Sequence, residues 1–304
     1  DNQKIHYDGT NILIANKGDD NIKSLDPSTD QVTVIIATSY TYLNDVIDVT
    51  EDSTHYYTLA RTSGTYSYLT KVCKWLKSDT TATPSCNSSS ARYGTALTEY
   101  GGQLFVLQTF SSSAYRKVII IDTDDMGAAG SFAYSSGVPS YYYAQDIDVD
   151  DATGDLYIAY RDYYGRIRQY DRSDSGTYSA SSYSQKYTYG RYHSHLTVQD
   201  GYVYNTGYYY SSYYGGMKKT TTGSTLSTST LWTAYSGANG YKGSVSVTSD
   251  GDIYVASNYA YYYQSFSNWD DKIWVHEKSS SGSYSGSPTR TLGPNPPSLS
   301  ALET

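Results

Sequence analysis

The sequence predicts an all-β chain closed into a six-bladed β-propeller of four-stranded antiparallel blades. Three observations predict it: a unit of three strands and two turns, the return of that unit at a near-constant spacing, and the number of returns that fill 304 residues. The unit is clearest from Asp146 to Ser173, DIDVDDATGDLYIAYRDYYGRIRQYDRS. Ile147 and Val149 alternate with acidic residues, DDATGD forms a tight turn, Leu156 to Tyr160 is a β-rich run, and Arg166 to Tyr170 alternates polar with apolar. Nothing in it has helical spacing.

Aligned near the end of each middle strand, the copies are NILIAN (Ala15), YYTLAR (Ala60), LFVLQT (Leu107), LYIAYR (Ala159), YVYNTG (Asn205) and IYVASN (Ala256), with steps of 45, 47, 52, 46 and 51 residues. Alternating strands and turns precede them in NDVIDVTEDS, HSHLTVQDG and KGSVSVTSDG, and third strands follow in NIKSLDPST, KVIIIDTDD, GRIRQYDRS and DKIWVHEKS. A period near fifty with four strand-like runs is that of propeller blades. One further step from Ala256 reaches the end of the sequence, so six blades fill it.

In order, the blades are expected at 4–38, 44–90, 93–137, 144–189, 193–235 and 242–292, one propeller over 1–292. Blade 1 owns its inner strand and blade 6 its outer one, which predicts closure by packing of the first blade on the last, without strand exchange. The segment 293–304, GPNPPSLSALET, is different in kind: its prolines force an extended tail that fits a linker, a clasp or an intermolecular arm.

The run DGDIYVASN at Asp250 to Asn258, followed by KIWV at Lys272 to Val275, resembles NHL-type and regucalcin-like six-bladed propellers. Blade 1, ILIANKGDDNIKSLDPSTDQVTVI, also resembles the YVTN repeats of exported surface propellers. The resemblance implies the fold and an exported setting, and leaves the activity open.

Charged residues make up 17% and hydrophobic ones 38%, and the rest is rich in Gly, Ser and Thr; 39 tyrosines stand against 4 phenylalanines. Tyrosine suits strands and half-buried positions in place of Phe and Leu. The net charge is −8 and the longest basic cluster is Lys218-Lys219, which argues against nucleic acid and anionic membrane as partners. No apolar run approaches the length of a membrane span. The sequence opens at Asp1 without an apolar leader, as in a cytosolic protein or one whose signal has been removed.

Cys73 falls in the third strand of blade 2 and Cys86 in the returning fourth strand, within bridging reach. Two reduced buried thiols fit the spacing equally. Asn87-Ser88-Ser89 is a glycosylation sequon beside Cys86. With the low charge and the YVTN-like first blade, these features favour an extracellular or cell-surface location.

In a propeller, connections between second and third strands share one face with the segments leading into the innermost strands. On that face the sequence places Tyr141, Tyr142, Tyr143, Tyr163, Tyr164, Tyr208, Tyr209, Tyr210, Tyr213, Tyr214, Tyr259, Tyr261, Tyr262, Tyr263 and Trp269. Such aromatics suit interfaces, and beside polar groups they also suit sugars. The channel mouth receives Asp45, Asp146, His193 and His195.

His193 and His195 share one strand face, but without a third certain ligand no metal is expected. The run Asp146, Asp148, Asp150, Asp151 departs from the EF-hand pattern, with Asp151 at the required Gly and Tyr157 at the required Glu, and is read as a solvated acidic strand face with a polar turn. Nucleophile-elbow, HExxH, phosphate-loop, CxxC and sialidase Asp-box motifs are missing, and no cofactor is expected. The expectation is a structural or adhesive propeller that associates with itself or with neighbouring surface proteins, with a glycan-binding module second. An acid-base enzyme using Asp45, Asp146 and His195 comes third.

Overall fold

The computed structural model describes residues 3–37, 39, 41–62, 69–87, 91–110, 113–134, 143–161, 165–188, 195–209, 214–233, 243–256 and 273–292. It is a six-bladed β-propeller, each blade a four-stranded antiparallel sheet in sequence order. Blade 1 is β1 (Gln3–Tyr7), β2 (Ile12–Asn16), β3 (Asn21–Leu25) and β4 (Val32–Ile36); blade 2 is β5 (Val46–Glu51), β6 (His55–Arg61), β7 (Thr70–Leu76) and β8 (Ser85–Asn87). Blade 3 is β9 (Gly94–Tyr100), β10 (Gln103–Gln108), β11 (Lys117–Asp122) and β12 (Ala128–Ala133), with a short 3-10 turn at Ser113–Tyr115. Blade 4 is β13 (Tyr143–Val149), β14 (Leu156–Arg161), β15 (Arg166–Tyr170) and β16 (Ser184–Tyr187). Blade 5 is β17 (Leu196–Gln199), β18 (Tyr202–Tyr209), β19 (Tyr214–Thr221) and β20 (Thr228–Thr233); blade 6 is β21 (Val245–Val247), β22 (Ile253–Ala256), β23 (Ile273–His276) and β24 (Arg290–Leu292). The tail 293–304 lies outside the described residues.

Burial explains the strand patterns. Middle strands such as β2 and β22 are buried at every residue because a neighbouring blade covers each sheet face. The outer strand β12 is exposed at all but one of its residues. The apolar core is accordingly divided into inter-blade layers: Phe105, Leu107 and Val118 of blade 3, for example, pack on Ala144, Ile147 and Ile158 of blade 4.

The turns of one face are built from Asp and Gly. The Asp8 carboxylate accepts from the Thr10 and Asn11 amides at 2.9 and 2.6 Å, and Asp52 accepts from Thr54 and His55 at 2.6 and 2.7 Å. Gly154 sits at φ +77°, and a Cβ there would lie 2.5 Å from Arg172 and 2.7 Å from Tyr100. Only glycine meets both demands.

Among the described residues the ring closes without strand exchange. Ile5, Ile12, Ile14 and Leu25 of blade 1 pack on Tyr254, Ala256, Ile273 and Val275 of blade 6. The Ile5 amide donates to Ser244 Oγ at 3.2 Å, and Arg290 in β24 reaches Asp30 in the turn between β3 and β4.

Candidate functional site

The inner strands carry the polar residues of the axis. β5 and β13 each contain a β-bulge, at Ile47 and Gln145, and the next residue in each is an aspartate, Asp48 and Asp146. A bulge adds a residue to one strand and re-aims the side chain after it. By register, Lys4, Asp48, Ala96, Asp146, His195 and Ser244 occupy equivalent positions, one per blade. The hydrogen bonds repeat with the blades: Asp48 Oδ2 accepts from the Leu97 amide of the next blade at 2.8 Å, and Asp146 Oδ2 from the Leu196 amide at 3.2 Å.

These residues form one buried ionic cluster. Lys4 Nζ donates to Asp48 Oδ2 at 3.0 Å and to Asp146 Oδ1. His195 Nδ1 lies 3.1 Å from Asp146 Oδ2, and since a carboxylate only accepts, Nδ1 is the donor. Burial disfavours the Lys4 ammonium, but the carboxylates of Asp146 and Asp48 outweigh it and its pKa is raised. Burial likewise opposes charge on Asp146, yet Lys4 and His195 hold its carboxyl below the usual range. Asp48, with a smaller share of positive partners, is pushed up by burial.

A second layer lies two residues further along each strand. Asp148 accepts from the Val198 amide at 2.7 Å, the Val149 amide at 2.9 Å and the hydroxyls of Thr98 and Thr197 at 3.0 and 3.1 Å. Burial nevertheless pushes it up to about 6. Burial also depresses the His6 imidazole, with Asp48, Asp8 and Asp151 pulling the other way. The expected solvated acidic face is therefore overturned for Asp146, which is buried with its carboxylate committed to protein donors, and for Asp150, buried at the head of its turn. On an inner strand the neighbouring blades take up these side chains, while Asp148 stays half-buried and Asp151, in the turn, is exposed.

Among the described residues the axis is nearly filled. The cavity among Lys4, His6, Asp48, Asp146, Asp148 and Thr197 has a volume of 20 Å³, room for about one water and no sugar or peptide. Asp146 and His195 have the pairing of an acid-base dyad, but the Asp146 carboxylate is also bonded to the Lys4 ammonium and the Leu196 amide.

Of the other expected mouth residues, Asp45 is 38% exposed and takes no part in the cluster's hydrogen bonds; it lies 3.6 Å from Lys17 and 3.4 Å from Arg61. His193 lies outside the described residues, as do Tyr141, Tyr142, Tyr163, Tyr164, Tyr210, Tyr213, Tyr259, Tyr261, Tyr262, Tyr263 and Trp269. Tyr143 opens β13, Tyr208 and Tyr209 end β18, and Tyr214 opens β19. Cys73 and Cys86 sit opposite each other on β7 and β8 and are joined as a disulfide. Asn87 Nδ2 donates to the Met126 carbonyl at 2.6 Å.

Sequence reasoning missed Lys4 and Asp48. The available signal was the spacing to the turn: Lys4, Asp48 and Asp146 each stand four residues before a turn aspartate, Asp8, Asp52 and Asp150, and each is followed by a β-branched apolar residue. Many tyrosines do serve as core. Tyr57, Tyr134, Tyr160 and Tyr170 are fully buried with their hydroxyls bonded, Tyr134 to the Gln108 carbonyl at 2.7 Å and Tyr160 to Tyr170 at 3.0 Å.

No family model matches the chain, and no curated protein matches it. Solved structures do resemble it. Hydrazine synthase of Kuenenia stuttgartiensis aligns with a TM-score of 0.63 at 11% identity, over 90% of this chain and 76% of that one. A putative 6-phosphogluconolactonase from Bacteroides uniformis gives 0.58 at 11% identity, over 95% and 80%. The PQQ-bound aldose sugar dehydrogenase of Streptomyces coelicolor gives 0.57 at 10% identity, over 90% and 92%. At such identities the likeness is one of fold, and it places the chain among the β-propellers.

Proposed function

We propose that the protein is an extracellular propeller with a structural or adhesive role, which self-associates through the face that carries its tyrosine-rich connections. The observation that carries this reading is the division of residue chemistry between the two faces. β13, β18 and β19 bring Tyr143, Tyr208, Tyr209 and Tyr214 to one end of their blades, the end from which the other tyrosine-rich segments depart. The first turns on the opposite face, at Asp8, Asp52, Gly101, Asp150, Asp200 and Gly251, are built mainly from Asp, Gly, Ser and Thr and contain no tyrosine, and the tyrosines of the outer connections there include Tyr178 and Tyr284, whose hydroxyls are bonded to the Gly154 and Gly251 carbonyls. The nearly filled axis supports the reading, because it leaves the surfaces as the chemically distinctive parts of the molecule. The disulfide is consistent with an oxidising compartment.

Aromatic contacts are not screened by salt, whereas ionic ones are. Light scattering and electron microscopy of the purified protein at rising concentration, in low and high salt, are expected to show assemblies in both. A monomer under all of these conditions overturns the proposal. Head-to-tail contact of unlike faces would extend into fibres, while like-on-like contact would stop at dimers.

A further inference from the structure

A groove of 460 Å³ runs along the outer half of blade 3, a size suited to a small ligand. The outer strand creates it. Ala128, Ala129, Gly130 and Ser131 carry almost no side chain, and a β-bulge interrupts the register there. Lys117 and Ile119, which share one face of β11, are thereby left to form floor and wall. Arg92 and Tyr115 line the other side, and no acidic residue occurs among the described lining residues. In a chain of net charge −8, this is a local cationic site.

Its aromatic wall is held in place. The turn 91–94 is locked by Thr70, whose hydroxyl donates to the Ala91 carbonyl and accepts from the Gly94 amide at 2.8 Å. A Cβ on Gly94 would lie 2.8 Å from Leu59, so the turn sits hard against blade 2. Tyr93 has φ +59°, a conformation that side chains of its size rarely adopt and that tends to mark functional positions. Its ring lies 4.3 Å from Phe110 and 4.4 Å from Tyr115, and Phe110 is 36% exposed. The strained turn thus presents Arg92 outward while Tyr93 braces Tyr115 against the groove.

We propose that this groove binds an acidic saccharide. The carboxylate of a uronic or sialic acid unit pairs with Arg92 and Lys117, its ring C–H face lies on Tyr115, and its hydroxyls meet Gln108 and Ser131. Two cations are too few for a nucleic acid, and the aromatic wall distinguishes the site from a simple anion trap. The inference does not rest on self-association.

The test is calorimetric or saturation-transfer NMR titration with methyl glucuronide and N-acetylneuraminate, using methyl glucoside, acetate and inorganic phosphate as comparisons. At least one acidic sugar is expected to bind, with the glucoside about 10-fold weaker or worse. Arg92→Gln and Lys117→Met are each expected to weaken binding by about 10-fold, and Ser131→Trp, at an exposed position that tolerates bulk, to abolish it. Circular dichroism checks that each variant is folded. Absence of binding by both acidic sugars, equal binding of the glucoside, equal binding of acetate or phosphate, or unchanged affinity in Arg92→Gln and Ser131→Trp overturns the proposal.

Discussion

Lys4 in the first blade and Asp146 in the fourth, on opposite sides of the ring, are hydrogen-bonded to each other across the axis. With Asp48 and His195 they tie four of the six inner strands into one buried cluster. Removing the Lys4 ammonium leaves two buried carboxylates facing each other. Lys4→Met is therefore expected to destabilise the fold by about 3–5 kcal/mol, read by urea denaturation. Adding Asp48→Asn and Asp146→Asn to it should recover much of that loss, because the stranded charges are gone.

Asp148 gives stability a specific pH dependence. Its native pKa, about 6, lies above the unfolded carboxylate value, so the native state holds this proton more tightly. The linkage sign then makes its contribution fall as pH rises from about 4 through about 6, and flat above. Compared with Asp148→Asn by urea titration across this range, the wild type should lose up to about 2 kcal/mol relative to the variant as pH rises, after allowance for residual solvent access. A constant difference contradicts the assignment.

The Cys73–Cys86 bridge closes a short loop, with a sequence separation of 13. The double variant Cys73→Ala/Cys86→Ala is expected to lose about 2–3 kcal/mol by the chain-entropy argument. Hydrogen exchange should rise mainly in β7 and β8, since the bridge spans only those strands.

At the join of blades 6 and 1, apolar packing outweighs the ion pairs. Arg290 is 30% exposed and reaches Asp30, Glu277 and the Tyr254 hydroxyl, so Arg290→Ala should cost no more than about 1 kcal/mol. Ile14→Ala, inside the layer shared with Tyr254 and Val275, should cost about 2–5 kcal/mol. Thermal melts of the two variants give the comparison directly.

The blades were legible because each had to repeat one pattern: an alternating inner strand, an Asp-Gly turn and a continuously apolar middle strand between two neighbours. Ala15 and Ala159 mark equivalent middle-strand positions, pairing with Lys4 and Asp146, whereas in blade 2 the partner of Asp48 is Leu59, one residue before Ala60. Aligning blade 2 on the small residue Ala60 therefore misses the equivalent position by one, because the residue that faces the inner-strand aspartate there is a leucine and its size gives no mark. The axial cluster was half legible for a related reason. Asp146 and His195 stood out as polar residues at the start of inner strands, but the partner that fixes their role, Lys4, lies 142 residues from Asp146. The groove of blade 3 was not legible at all, because it is made by the small side chains of Ala128 to Ser131.

Closure without strand exchange has a mechanical consequence. Five of the six junctions between blades are crossed by the polypeptide itself, whereas among the described residues the sixth is held by side-chain packing and a few hydrogen bonds around Ile5, Ser244 and Arg290. No sheet need unravel for that junction to part. Under load or thermal strain the ring is built to spring open there first, like a split washer, with all six blades still folded.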